Sequence, residues 1–453
     1  MFIIINFPFA VCDENQHFIK AFDISYGHFI PENNHVTVPK SIGDVIKSNG
    51  AHYIIIDLKR GIYTPYMLHL NVNETENLTT SAISYMPLPY LGTAFVIKIG
   101  EMFNISPLIL IYIGRLINLL IYAIIVYFGI KIVPIGKYIF LLIALMPMSL
   151  YEAASLSADS LNLALSFFTI CLFLKFVFKE NKIYRNDIIV ISICILCLSL
   201  SKQIYALLGL LFFIIPKSKF KNVKFRLIYF ICTILPSFIL FIFWNYSIKN
   251  FNLMYESISQ VSSSFNINIL DFLIIMIKST FSYFNYYLTS FVGTFGWLGI
   301  GKQCSFPLAL VYIYLFFLII VSILDVRWVG NCSPIHINKF KLTLKQKIIN
   351  LLILFLESMI IFFMGLRWTI DWGVSPFSEH IWGVQGRYFI PVAPLLFLIL
   401  QNKKITNYIS RYDRKIVYKY LNIFIIIFIG IILAISTYFI YNMGLSTYIE
   451  YNY

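Results

Sequence analysis

The chain has 453 residues, 59% of them hydrophobic and only 12% charged, with a mean hydropathy of +0.79. Soluble domains carry about 25% charged residues, so a soluble enzyme is excluded and a polytopic membrane protein is indicated. The net charge of +14 does not indicate nucleic acid, because the basic residues fall in short loops between apolar runs, as in loops held on the cytoplasmic side of a membrane.

The first eleven residues, MFIIINFPFAV, are almost wholly apolar but too few to span a bilayer at about 1.5 Å per residue. They read as a truncated first transmembrane helix, without the basic n-region or small-residue cleavage site of a signal peptide. CDENQHFIKAF follows at once. If 13–25 is helical, Asp13 and His17 share a face, and Phe18, Ile19 and Phe22 form an apolar stripe suited to the membrane surface. Two readings stand: Asp13 and Glu14 are acids favoured at a helix N-terminus where the chain leaves the membrane, or they are catalytic carboxylates.

Apolar runs of near-spanning length continue at 108–130, 137–155, 158–178, 187–201, 203–216, 226–248, 307–324, 346–366, 388–400 and 420–441, with two ambiguous runs at 85–103 and 270–289. The loops 131–137, 179–185, 217–226, 327–347 and 403–419 hold two, three, five, five and six Lys or Arg, 21 of the chain's 35. They share one side of the membrane only if 85–103 and 270–289 are interfacial rather than spanning. The expectation is an all-α, multi-pass membrane domain over 1–453 with about eleven spans, the N-terminus inside and the C-terminus outside. Its parts are the truncated helix 1–11, a first external loop 12–107 with juxtamembrane helices, central spans 108–248, an external or interfacial segment 249–306 and C-terminal spans 307–441.

Polar residues then gather at the outer face. Arg115 and Asn118 lie in the outer half of a span, where an arginine is costly without a partner. Asp159 opens a span, as a helix-start acid or as part of a site. Lys202 sits in a tight hairpin, where it either snorkels to water or serves function. Arg367 and the segment GVQGRYFIPV, with Gln385, Arg387 and Tyr388, border another outer loop, and Gly383 and Gly386 permit close backbone approach or unusual torsions. Acids and bases at one face suit a lipid-linked substrate: Arg and Lys hold a phosphate and a carboxylate takes a proton from an acceptor hydroxyl. No P-loop, dinucleotide fingerprint, HExxH or GxSxG motif occurs. Cys194 and Cys197 form a CxxC inside an apolar run and read as packing; Cys12 and Cys304 both fall outside, where a disulfide is compatible with the sequence but not established by it. No metal is assigned, although Asp13, Glu14, His17 and Asp159 include hard ligands that suit a divalent cation.

The ordered pieces CDENQHFIKAFDISYGHFIP, MPLPYLGTAF, RLINLLIY, LMPMSLYEAASLSADSLNLAL, LSKQIYALLGLLFFIIP, FVGTFGWLG and GVQGRYFIPVAPLL resemble the bacterial predicted membrane protein family called domain of unknown function 2142, over nearly the whole chain. That family places a full span before the acidic pair, often with PPDE or PDE, where this chain has CDE. It in turn resembles the GT-C glycosyltransferases, especially protein O-mannosyltransferases and aminoarabinose lipid A transferases. This resemblance implies Asp13 or Glu14 as catalytic base, with Asp159 in the same cavity and Lys202, Arg367 and Arg387 near a polyprenyl phosphate. It implies a polyprenyl-phosphate-linked sugar donor and a glycan or lipid-linked acceptor in the bacterial cytoplasmic membrane. Two other readings stand beside it: a transporter or flippase of lipid-linked glycan, and a non-catalytic subunit of an envelope polysaccharide pathway.

Overall fold

The computed structural model describes residues 1–31, 34–47, 70, 73–248, 268–296, 304–324, 341–371, 373–374, 381–402 and 414–452. Residues 249–267 and 297–303 of the expected segment 249–306 and much of the basic loops 327–347 and 403–419 lie outside these residues, as do 372 and 375–380.

The described chain is mainly helical, and five helices are long and apolar enough to cross a membrane: Pro107–Ile132, Asp159–Phe178, Val223–Ile248, Leu344–Ile370 and Lys419–Met443. About eleven spans were expected; the other apolar runs are shorter or broken, for readable reasons. The N-terminal run gives only helix α1 (Phe2–Ile5). The run 137–155 divides into α6 (Lys137–Ala144) and α7 (Pro147–Ala153), because Pro147 has no N–H to donate and suits a first helical position. Ser149 Oγ donates to the Ile143 carbonyl instead, at 2.6 Å. The run 203–216 winds as a 3₁₀ helix over Gln203–Ile214. At about 2.0 Å rise per residue its twelve residues reach about 24 Å, against about 18 Å as an α-helix. A short run thereby covers most of a hydrocarbon core about 30 Å thick.

The N-terminal third builds a cap on one end of the helices. Helix α2 (Glu14–Ser25) is followed by strand β1 (His35–Pro39), α3 (Lys40–Lys47) and β2 (Thr75–Thr79). The two strands pair antiparallel with Val36 opposite Leu78. Helix α4 (Leu91–Met102) is the ambiguous run 85–103, only twelve residues long, and α5 (Pro107–Ile132) starts from Ser106 with Pro107 at its first position. The stripe Phe18, Ile19 and Phe22, expected at a membrane surface, is buried inside the protein. It packs with Val36, Ile42, Tyr90, Ile97, Leu110 and Ile111, so the apolar face is used to seat α2 on α4 and α5.

The larger core joins α5–α7, α8 (Asp159–Phe178), α9 (Arg185–Ser201) and the 3₁₀ helix to the C-terminal helices. These are α13 (Leu308–Leu324), α14 (Leu344–Asp371), α15 (Ala393–Ile399) and α16 (Arg414–Asn452). Helix α10 (Val223–Ile248) reaches the cap through Trp244 Nε1, which donates to the Ser84 carbonyl at 2.9 Å. The second ambiguous run forms α11 (Ile269–Ser282) and α12 (Phe284–Val292), interrupted at Tyr283. A short ladder, β3 (Thr294–Phe295) with β4 (Cys304–Ser305), follows. Cys12 and Cys304 do not form a disulfide with each other.

Candidate functional site

The ends of five elements meet under the cap: the start of α2, the start of α8, the end of α9, the far end of α14 and the 3₁₀ helix Gly386–Val392. They line a cavity of about 50 Å³ that is open on one side to solvent. Asp13, His17, Asp159, Lys202, Arg387 and Tyr388 line it, six of the ten residues singled out from the sequence.

Gly386 explains how Arg387 arrives there. A Cβ at Gly386 would collide with the backbone of Tyr287 and Phe291, so only glycine lets this segment lie against α12. Its N–H donates to Ser290 Oγ at 2.8 Å. Arg387 Nη1 then pairs with Glu152 Oε1 from α7, both side chains being almost fully buried. Arg387 Nε and Glu152 Oε2 have no hydrogen-bond partner among the described residues. Lys202 does not snorkel to water: its Nζ lies 2.6 Å from Asp159 Oδ1 and it stands over the rings of Tyr388 (5.3 Å) and Tyr85 (5.9 Å). Asp159 opens α8, where Ser157 Oγ accepts its N–H at 3.2 Å.

The two adjacent acids have different surroundings. Glu14 is fully buried and saturated. Its Oε1 accepts from Arg115 Nε (2.8 Å) and the Leu156 N–H (3.1 Å); its Oε2 accepts from Arg115 Nη2 (2.6 Å) and the Phe9 N–H (3.0 Å). Arg115 is also fully buried and gives its remaining N–H groups to the carbonyls of Asn6, Phe7 and Ile3 at 2.6, 2.8 and 3.2 Å. This clamp ties residues 3–14 to α5 and to the turn before α8. The Asp13 carboxylate, by contrast, makes no hydrogen bond or ion pair among the described residues and keeps contact with solvent through the cavity. Its φ of 58° and ψ of 13° are left-handed, a conformation that Asp tolerates better than most residues. That turn separates the two carboxylates, sending one inward and one to the cavity.

Partial enclosure pushes the Asp13 carboxyl up from its ordinary value, Arg387 and Lys202 pull it down, and Asp159 adds to the rise. His17 is buried, and desolvation lowers it to about 4 despite the attraction of Asp159, so the imidazole is neutral near pH 7. Its Nδ1 lies 2.7 Å from the Tyr90 hydroxyl and its ring sits against Tyr85 and Tyr90.

The other sequence candidates lie apart from the cavity lining. Glu14 and Arg115 form the clamp. Gln385 is buried just ahead of Gly386, and its carbonyl accepts the Tyr388 N–H at 3.2 Å. Arg367 lies on α14 between Met364 and Trp368, which do line the cavity. Sequence reasoning missed Glu152, although an acid inside the apolar run 137–155 demands a partner. It also missed Tyr85 and Trp368, which carry no charge signal. Among the described residues no three His, Cys, Asp or Glu side chains form a group able to hold a metal ion.

Residues 1–396 match the family described as Predicted membrane protein (DUF2142). The chain belongs to that family. No curated protein and no solved structure matches it. For this DUF2142 member the match takes in the cap, the clamp and every residue of the cavity, and ends within α15.

Proposed function

We propose that this DUF2142 protein is a glycosyltransferase that moves a sugar from a polyprenyl-phosphate donor to a cell-surface glycan or lipid-linked acceptor at the external face of the bacterial cytoplasmic membrane. The observation that carries the reading is an unbonded carboxylate, Asp13, in one cavity with two cations, Lys202 and Arg387, the latter with an unpaired Nε. In the reaction, the acceptor hydroxyl oxygen bonds to the anomeric carbon and its proton passes to Asp13. The bond from the anomeric carbon to phosphate oxygen breaks, and its electron pair leaves with the polyprenyl phosphate. Charge-assisted hydrogen bonds from Arg387 and Lys202 would meet that phosphate. A carboxyl raised from its ordinary value is a better base, which favours Asp13 over the saturated Glu14; Glu14 becomes a positioning residue. Tyr388, Trp368, Met364 and Ile361 supply an apolar and aromatic wall of the kind a sugar face or lipid segment packs against.

The test is mass spectrometry of surface glycans and lipid-linked intermediates in a parent strain, a deletion, and the deletion carrying native protein, Asp13→Asn or Glu14→Gln. The expected result is a missing sugar restored by native protein and not by Asp13→Asn, with that variant present in the membrane. Full restoration by Asp13→Asn sinks the assignment. A transport reading is favoured by one separate observation, an unpaired Glu357 midway along a membrane-length helix, since transporters place polar sites near the midplane.

A further inference from the structure

Glu357 lies thirteen residues from each end of the membrane-length segment Leu344–Ile370, about 20 Å of helix either way at about 1.5 Å per residue. Its side chain is fully buried, and neither Oε1 nor Oε2 has a hydrogen-bond partner among the described residues. An acid at this depth is costly and, where it occurs, faces a partner or a water-filled space. One turn toward the cavity stands Ile361, then Met364, and both line the cavity. Two turns the other way stands Asn350, also fully buried with both amide atoms unpaired. Steps of seven, four and three residues keep these four on one face of α14.

A second row begins at Asp159. Asn162, Ser166 and Thr169 follow it down α8 at the same helical spacing. All three are fully buried, and their side-chain polar atoms are unpaired among the described residues. Both α8 and α14 pack against the 3₁₀ helix Gln203–Ile214. From that helix the Tyr205 hydroxyl donates to the Tyr388 carbonyl under the cavity at 2.7 Å. A dry interior would leave five polar side chains unsatisfied, at about 1–3 kcal/mol for each group. Buried waters, each making about three hydrogen bonds, remove that cost where polar groups line the space.

We propose that water enters the membrane interior from the cavity along these two rows, and that Glu357 is a proton-exchanging carboxylic acid on its wall. The carboxyl O–H proton passes to a neighbouring water, and a proton from the water chain replaces it on the carboxyl oxygen, so no net charge is left in the membrane. The inference does not rest on glycosyl transfer; it gives the chain a proton site between the two faces, whatever the cavity binds.

Infrared spectra of the purified full chain in lipid nanodiscs test it, comparing native protein with Glu357→Gln in H₂O and D₂O. The difference spectrum is expected to show one carboxylic acid C=O band, lost in Glu357→Gln and shifted on deuteration. A carboxylate band in its place, or an acid band that ignores D₂O, overturns the proposal. The native protein gives an independent readout if the variant does not fold. A hydrophobic carbodiimide modifies a protonated carboxyl, so peptide mass spectrometry is expected to find the adduct on Glu357, and an unmodified Glu357 counts against the proposal.

Discussion

Residues 13 and 14 are both acids and share a peptide bond, yet they belong to regions built on opposite terms. The Glu14 carboxylate is met by two guanidinium nitrogens and two backbone N–H groups, and three carbonyls take the rest of Arg115. Among the described residues, the Asp13 carboxylate is unbonded, and an Arg387 nitrogen and a Glu152 oxygen are unpaired. A saturated polar network fixes geometry and has nothing left for a ligand; an incomplete one waits for a partner. The clamp is structure and the cavity is capacity.

That contrast can be broken by experiment. The largest stability effect is expected for Arg115→Leu, which leaves Glu14 as an uncompensated buried charge at a cost of about 3–5 kcal/mol. It would be read as a lower Tm in detergent or as failure to accumulate. If Arg115→Leu keeps its Tm, the clamp does not hold the cap. Gly386→Ala should cost about 3 kcal/mol by overpacking, because the backbone of α12 blocks the new Cβ; a Tm equal to native would mean that α12 yields there.

A pH titration of stability sharpens the contrast further. His17 is neutral in the folded protein down to about 4, whereas an unfolded histidine takes up its proton near 6.5. Between those values the unfolded chain binds the extra proton, so stability falls as pH drops from 6.5 toward 4 and is fully present above 6.5. The loss attributable to this residue is about 2–3 kcal/mol. His17→Phe should flatten that window in denaturation scans, and an unchanged slope would assign it to other groups. The smallest stability effect belongs to Asp13→Asn. Its folded carboxyl is raised, so ionisation at neutral pH disfavours the fold, and asparagine also tolerates the left-handed turn. Tm should hold or rise slightly while transfer falls by about 10²-fold or more, the usual contribution of a general base. A drop in Tm like that of Arg115→Leu would erase the distinction between the two acids.

How much of this was legible depended on whether the signal was local. The membrane class followed from composition, and the requirement for glycine around 383–386 was visible as backbone freedom. Gly383 takes a φ of +79° and Gly386 a close approach. A buried arginine at 115 announced that it needed a partner, but not that Glu14, 101 residues away, would supply it. Nothing in CDENQ separates one acid from the other, because what parts them is the left-handed turn at Asp13, and Asp tolerates that turn without requiring it. The stripe Phe18, Ile19 and Phe22 was read correctly as apolar and wrongly as lipid-facing, since periodicity gives a face and not its neighbour. Spans counted by hydropathy missed the break at Pro147 and the 3₁₀ winding of 203–216, which alter length without altering apolarity.

That winding has a mechanical consequence. The segment Gln203–Ile214 joins Lys202, at the cavity, to Pro216, at the opposite end of the core. A 3₁₀ helix and an α-helix of the same twelve residues differ by about 0.5 Å per residue. Rewinding would therefore shorten the segment by about 6 Å, a stroke longer than one α-helical turn. The strut beneath the cavity thus has about 6 Å more reach than an α-helix of the same residues, and at its end Lys202 meets Asp159.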